Sequence, residues 1–308
     1  MKTKIQDMTS GSPGRLIILF AIPLMLGNIC QQLYTMVDTM VVGQVAGVEA
    51  LAALGAVDFL MWVVTGISTG LTQGFSIQLS QYYGAKDFEN LRKSLAHSYR
   101  LTAFIAAGVL ILSQSFASLV LTGLHTPSNI IGMSLLYLRI IFCGIPATAA
   151  YNMFASALRA MGNSKTPLTA MIIASVLNVS LDILFVAGFG WGVAGAAIAT
   201  VIAQSFSAVY CFLILRRIDI VHLTRADFMP ASGMNARLMK LGIPVVFQNI
   251  IIGVGGLVVQ YVINGYGFLF VGRIYSYKQA LWSAGNGSYF LWICHRYLCG
   301  SESGSRKD

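Results

Sequence analysis

Apolar runs longer than the roughly 18 residues that mark a transmembrane helix recur along this chain. In hydrocarbon every backbone N–H and C=O must bond within the protein, so only helices and closed barrels cross a bilayer. A barrel shows alternating segments of about ten residues instead, and these runs do not alternate. The chain therefore reads as an all-α integral membrane protein. Its 308 residues are 56% hydrophobic and only 10% charged, where a soluble domain carries about 25% charged residues. The first run is too long for a signal-peptide core, follows acidic Asp7 and lacks a small-x-small cut site, which predicts an uncleaved first span.

Spans are expected over 16–44, 52–74, 95–121, 130–156, 167–188, 193–215 and 241–270. The N-terminus and the segments after the second, fourth and sixth spans hold basic residues from Lys2 to Lys240. The loops "AGVEA", "GLHTPSN" and "GFGWG" hold none. Basic residues stay in the cytoplasm, which puts the N-terminus inside and the protein in the plasma (inner) membrane. The net charge of +9 is thus a topology signal. A nucleic-acid binder would gather it on one soluble face.

Three carboxylates lie inside spans: Asp38, Asp58 and Asp182. Orientation puts all three in the outer half. An ionised Asp at mid-bilayer costs about 2.5–3.5 kcal/mol on insertion scales and usually marks an ion or proton path. Asp58 sits close enough to its span end to reach the headgroups cheaply. Asp38 and Asp182 lie deeper. In "NVSLD", Asn178 and Asp182 share a helical face, and Thr200 in the next span offers a hydroxyl. Asp, Asn and Thr suit a proton or a hard cation such as sodium.

Other features read as structural or remain open. Pro23 removes a hydrogen bond inside the first span, giving either a hinge or a static kink. Gly66, Gly70 and Gly74, spaced by four, offer a close-packing face to another helix. Arg139 in "YLRIIF", a lone basic residue within a span, either neutralises a carboxylate or snorkels to the headgroups. The five cysteines form no CxxC pair and the four histidines no i,i+4 pair, so neither disulfides nor a zinc site are expected. No HExxH, GxSxG or Walker A motif is present, and no enzyme chemistry is expected.

The stretch "RLIILFAIPLMLGN" has a counterpart in "ARLMKLGIPVVFQN". Pro23 matches Pro244 and Asn28 matches Asn249, both at an offset of 221. This predicts a first lobe over 1–215, a polar cytoplasmic linker over 216–236 and the first span of a second lobe over 237–271, the plan of parallel repeats. Val259 stands opposite Asp38, so a cation site belongs to the first lobe alone.

The segments "FAIPLMLGN", "MVDTMVVGQVAGVEALAALG", "ALRAMGNSKTP", "VLNVSLDILF" and "GVAGAAIATVIAQ" resemble, in order and spacing, the MATE (multidrug and toxic compound extrusion) transporters, and most of all their bacterial DinF-like branch. The resemblance runs from about Met8 to Val271. It implies a twelve-span secondary antiporter that needs no cofactor, works as a monomer and exchanges protons or sodium for small organic cations. It assigns Asp38, Asn178, Asp182 and Thr200 to the first-lobe cation site, with Pro23 as the bend that responds to it. From Gly272 to Asp308 the apolar pattern breaks. Read one base later with permitted codons, that tail can become an apolar span followed by "YVGQNLGAGR", which echoes "LSQYYGAKD" after the second span. The expectation is a frameshifted tail on a truncated, inactive transporter. The competing readings are a flippase for lipid-linked precursors, which should carry basic rather than acidic cavity residues, and a non-transporting membrane remnant.

Overall fold

The computed structural model describes residues 13–229 and 233–278, with side chains from residue 21 on. Among these residues all regular structure is helical. The long helices are α1 (Pro13–Val45), α2 (Gly47–Gly84), α3 (Phe88–Gly123), α4 (Ile131–Cys143), α5 (Ile145–Ala160), α6 (Lys165–Asp182), α7 (Gly192–Arg216) and α8 (Met234–Asn264). Helices α2, α3, α7, α8, and α6 with its extension to Gly188, are each long and apolar enough to cross a membrane; α4 and α5 pass together. Helix α1 adds 33 residues and runs unbroken through Pro23.

Local chemistry explains where the helices stop. Between α1 and α2 the chain turns at Gly47, whose φ of +87° favours a residue without a Cβ. Asp87 caps α3 by accepting hydrogen bonds from the Asn90 backbone and side-chain amides, at 3.1 and 2.7 Å. Phe185, Phe189 and Trp191 pack on one another at the turn between α6 and α7, an aromatic cluster of the kind found at the membrane–water boundary.

Three departures from the sequence pattern have physical causes. The fourth span is bent by 47° between Cys143 and Ile145, where Gly144 packs against Val201 and Pro146 cannot donate a backbone hydrogen bond. The fifth span ends in a π-helical turn, Ile183–Gly188. The seventh stops at Asn264, short of 270. The chain then turns through Gly267, at φ +88°, and is helical again from 268 to 278. The frameshift reading concerns mostly residues 279–308, which lie outside the described residues.

At 38 and 36 residues, α2 and α3 are about 57 and 54 Å long. Both exceed the ~30 Å hydrocarbon layer, so they project beyond it. The core has one cluster around Leu54, Leu121, Leu138 and Phe142. A second cluster, at the opposite end of the bundle, is built around Phe75, Leu91, Leu158 and Leu215. Helix α8 lies along α2, where Gly74 and Gly242 bring the two backbones into contact and Asn249 donates to the Gly66 carbonyl at 3.0 Å. The glycine stripe therefore does have a helix partner. The 216–236 segment, expected as a linker, is folded where described: it holds the 3₁₀ turns Asp219–Val221 and Arg225–Phe228. His97 of α3 binds it through the Asn235 side chain at 2.7 Å and the Met229 carbonyl at 3.1 Å.

Candidate functional site

Asp38, Asn178 and Asp182 are all buried, at 7%, 1% and 0% exposure. Helix α6 packs against both α1 and α7, which brings their polar residues together. Each of the three helices contributes two polar side chains four residues apart, hence on one face. These are Tyr34 and Asp38 on α1, Asn178 and Asp182 on α6, and Thr200 and Gln204 on α7. The Asn178 amide donates to the Thr200 hydroxyl at 3.4 Å. Asp38 and Asp182 lie within each other's electrostatic field, and Asp38 also acts on Tyr34 and on Tyr137 from α4. Asp182 is the last residue of α6 before the π-helical turn, a distortion that recurs at functional sites.

The oxygens of this cluster are under-satisfied. Asp38 Oδ1, Asn178 Oδ1, both carboxylate oxygens of Asp182, and Gln204 Oε1 are buried without a hydrogen-bond partner among the described residues. Buried polar atoms are nearly always paired, so each exception needs an explanation. Two adjacent carboxylates with no cationic partner among the described residues attract a proton or a metal cation. The surrounding neutral oxygens suit a hard cation such as sodium.

Each residue singled out from the sequence has a definite place. Asp38, Asn178, Asp182 and Thr200 converge. Pro23 lies on α1, more than three turns from Asp38. Asp58 stays apart: it pairs with Lys278, whose ammonium also sits 3.9 Å from the Phe59 ring centroid. Arg139 is exposed and does not neutralise the cluster. Cys30, Cys143 and Cys211 are unpaired thiols. Sequence reasoning missed Tyr34, Tyr137 and Gln204. The four-residue spacing of Tyr34 to Asp38 and of Thr200 to Gln204 was a usable signal for two of them.

The fold is that of the MATE transporters. A solved outward-facing multidrug resistance MATE transporter of the MOP superfamily superposes with a TM-score of 0.76 and 22% identity, over 94% of this chain and 74% of that one. A MATE transporter in the bent conformation gives 0.75 and 23%, over 93% of this chain and 68% of that one. Residues 23–184, more than half of the chain, match the MatE family. The probable multidrug resistance protein YpnP of Bacillus subtilis (strain 168) is 31% identical over 264 residues, or 86% of this chain. This chain belongs to the MatE family and is a multi-pass membrane protein. It spans 59% of the length of that relative.

Proposed function

We propose that this chain carries the cation-binding half of a secondary antiporter that exports small organic cations in exchange for H+ or Na+. The observation that carries the reading is the set of five unpartnered, buried oxygens from Asp38, Asn178, Asp182 and Gln204. Asp38 and Asp182 supply the charge that holds the coupling ion. Asn178 and Thr200 position it, and Pro23 is the point at which α1 bends when the ion changes. The relative's name, probable multidrug resistance protein, supports the substrate class. The confinement of basic residues to the N-terminus and to one alternate set of loops supports a plasma-membrane protein with a cytoplasmic N-terminus. The pattern break after Val271 supports a frameshifted tail, and this chain alone is then inactive in transport. Sequencing the gene from codon 265 past its stop codon tests that part: a second lobe in another frame is expected.

The site itself is tested by ion-dependent stability. Sodium at a hundred times its dissociation constant should stabilise the purified chain by about 2.7 kcal/mol. If the ion is a proton, lowering the pH should do so instead. Either response should vanish in both Asp38→Asn and Asp182→Asn. A response that survives both substitutions, or none to either ion in the unaltered chain, overturns the assignment.

A further inference from the structure

Arg139 takes no part in the cation site. It lies eight residues into α4, about 12 Å along the axis from the outer end at Ile131. Its side chain is exposed, and among the described residues no carboxylate is within ion-pair distance of it. Exposed apolar side chains mark the membrane-facing surface of both helices: Leu112 of α3 is 59% exposed and Leu136 of α4 is 48% exposed. A cation on a lipid-facing surface at this depth is costly unless it reaches an anion. The anions within reach of a snorkelling arginine there are lipid phosphates of the outer leaflet.

A cleft of about 220 Å³ opens beside it between α2, α3 and α4. It is lined almost wholly by apolar side chains, among them Leu60, Val64, Leu112, Phe116, Ala117 and Phe142. Two features place the Arg139 turn of α4 beside it. Phe142 is one turn further along α4. Gln114, next to the cleft residue Ser113, donates to the Arg139 carbonyl at 2.8 Å and to Cys143 Sγ at 3.3 Å, joining α3 to α4. The cleft is larger than the roughly 150 Å³ apolar cavity that accommodates a benzene ring, so it has room for a stretch of hydrocarbon chain.

We propose that this seam is a phospholipid site, with the lipid phosphate paired to Arg139 and one acyl chain in the α2–α3–α4 cleft. Charge complementarity selects the occupant: guanidinium pairs with phosphate through parallel N–H···O bonds, and the lining is hydrocarbon. The site is distinct from the Asp38–Asp182 cluster and does not depend on the antiporter reading.

Native mass spectrometry of the purified chain with added phosphatidylglycerol tests it. The unaltered chain should retain lipid, and Arg139→Lys, which keeps the charge but not the bidentate fork, should retain more than Arg139→Gln and less than the unaltered chain. Arg139→Gln, and separately Ala117→Trp to fill the cleft, should each lower retention at least threefold. Arg217→Gln, an exposed cytoplasmic control, should not. Inorganic phosphate should not compete. Undiminished retention in Arg139→Gln or Ala117→Trp, equal loss in the Arg217→Gln control, or displacement by inorganic phosphate alone each refutes the site.

Discussion

Asp182 is completely buried at the junction of α6 and a π-helical turn, with neither carboxylate oxygen paired among the described residues. A residue in that position must obtain its partner from outside the protein or lose its charge, which is why the ion-linked stability test turns on it. Asp227 in the linker is the opposite case. Burial pushes its carboxyl up, but hydrogen bonds from the Thr224 amide and hydroxyl, at 2.7 and 2.8 Å, and the charges of Arg92 and Lys93 outweigh burial and hold it below the usual range. A depressed carboxyl adds stability above its unfolded value of about 3.9, lost as pH falls through the lower folded value. Asp227→Ala should therefore cost roughly 1–2 kcal/mol at neutral pH, and the gap to the unaltered chain should close below pH ~4 in denaturant melts. A gap independent of pH would assign it to packing instead. Asp38 and Asp182 were legible from sequence because a carboxylate in an apolar run is costly enough to stand out. Tyr34 and Gln204 were signalled only by their four-residue spacing from Asp38 and Thr200, and Tyr137 not at all, because an uncharged Tyr stands out little in an apolar run and only packing tells that it meets the acids.

At the scale of elements, the α2–α8 seam depends on residues that have no side chain to give. A Cβ added at Gly70 would come within 2.9 Å of the Val246 backbone, which cannot move aside as a flexible side chain can. Gly70→Leu should therefore separate the helices and cost roughly 1–3 kcal/mol by the overpacking rule. Gly84→Ala, where a Cβ meets open space, should cost far less. Thermal unfolding in detergent compares them, and equal losses would refute the seam's role. The internal repeat adds a contrast. Asn249 donates across this seam, whereas its counterpart Asn28 is exposed on α1. The same motif thus meets a helix at one copy and open surface at the other. The spacing of the glycines was readable in advance, but which helix they receive was not, since a stripe of small residues accepts any close partner.

At the scale of the whole molecule, orientation is the property most open to test. Glu49 lies in the first turn of α2, at an end read as external, and Lys86 in a loop read as cytoplasmic. In a chain whose native cysteines are replaced, Glu49→Cys should react with a membrane-impermeant thiol reagent on intact cells. Lys86→Cys should react only after permeabilisation. The reverse pattern would invert the topology and place Asp38 and Asp182 in the inner half. Sequence alone determined that the chain spans a membrane, roughly where its helices run, and which acids are too costly to be incidental. Those conclusions follow from transfer free energies and helical spacing, which are local properties of the chain. Only the tertiary structure decided that Asp38, Asn178, Asp182, Thr200 and Gln204 share one buried cluster, that Asp58 pairs elsewhere, and that Arg139 faces outward. Such convergence depends on which helix faces pack together, and helical periodicity shows a face without showing what it meets.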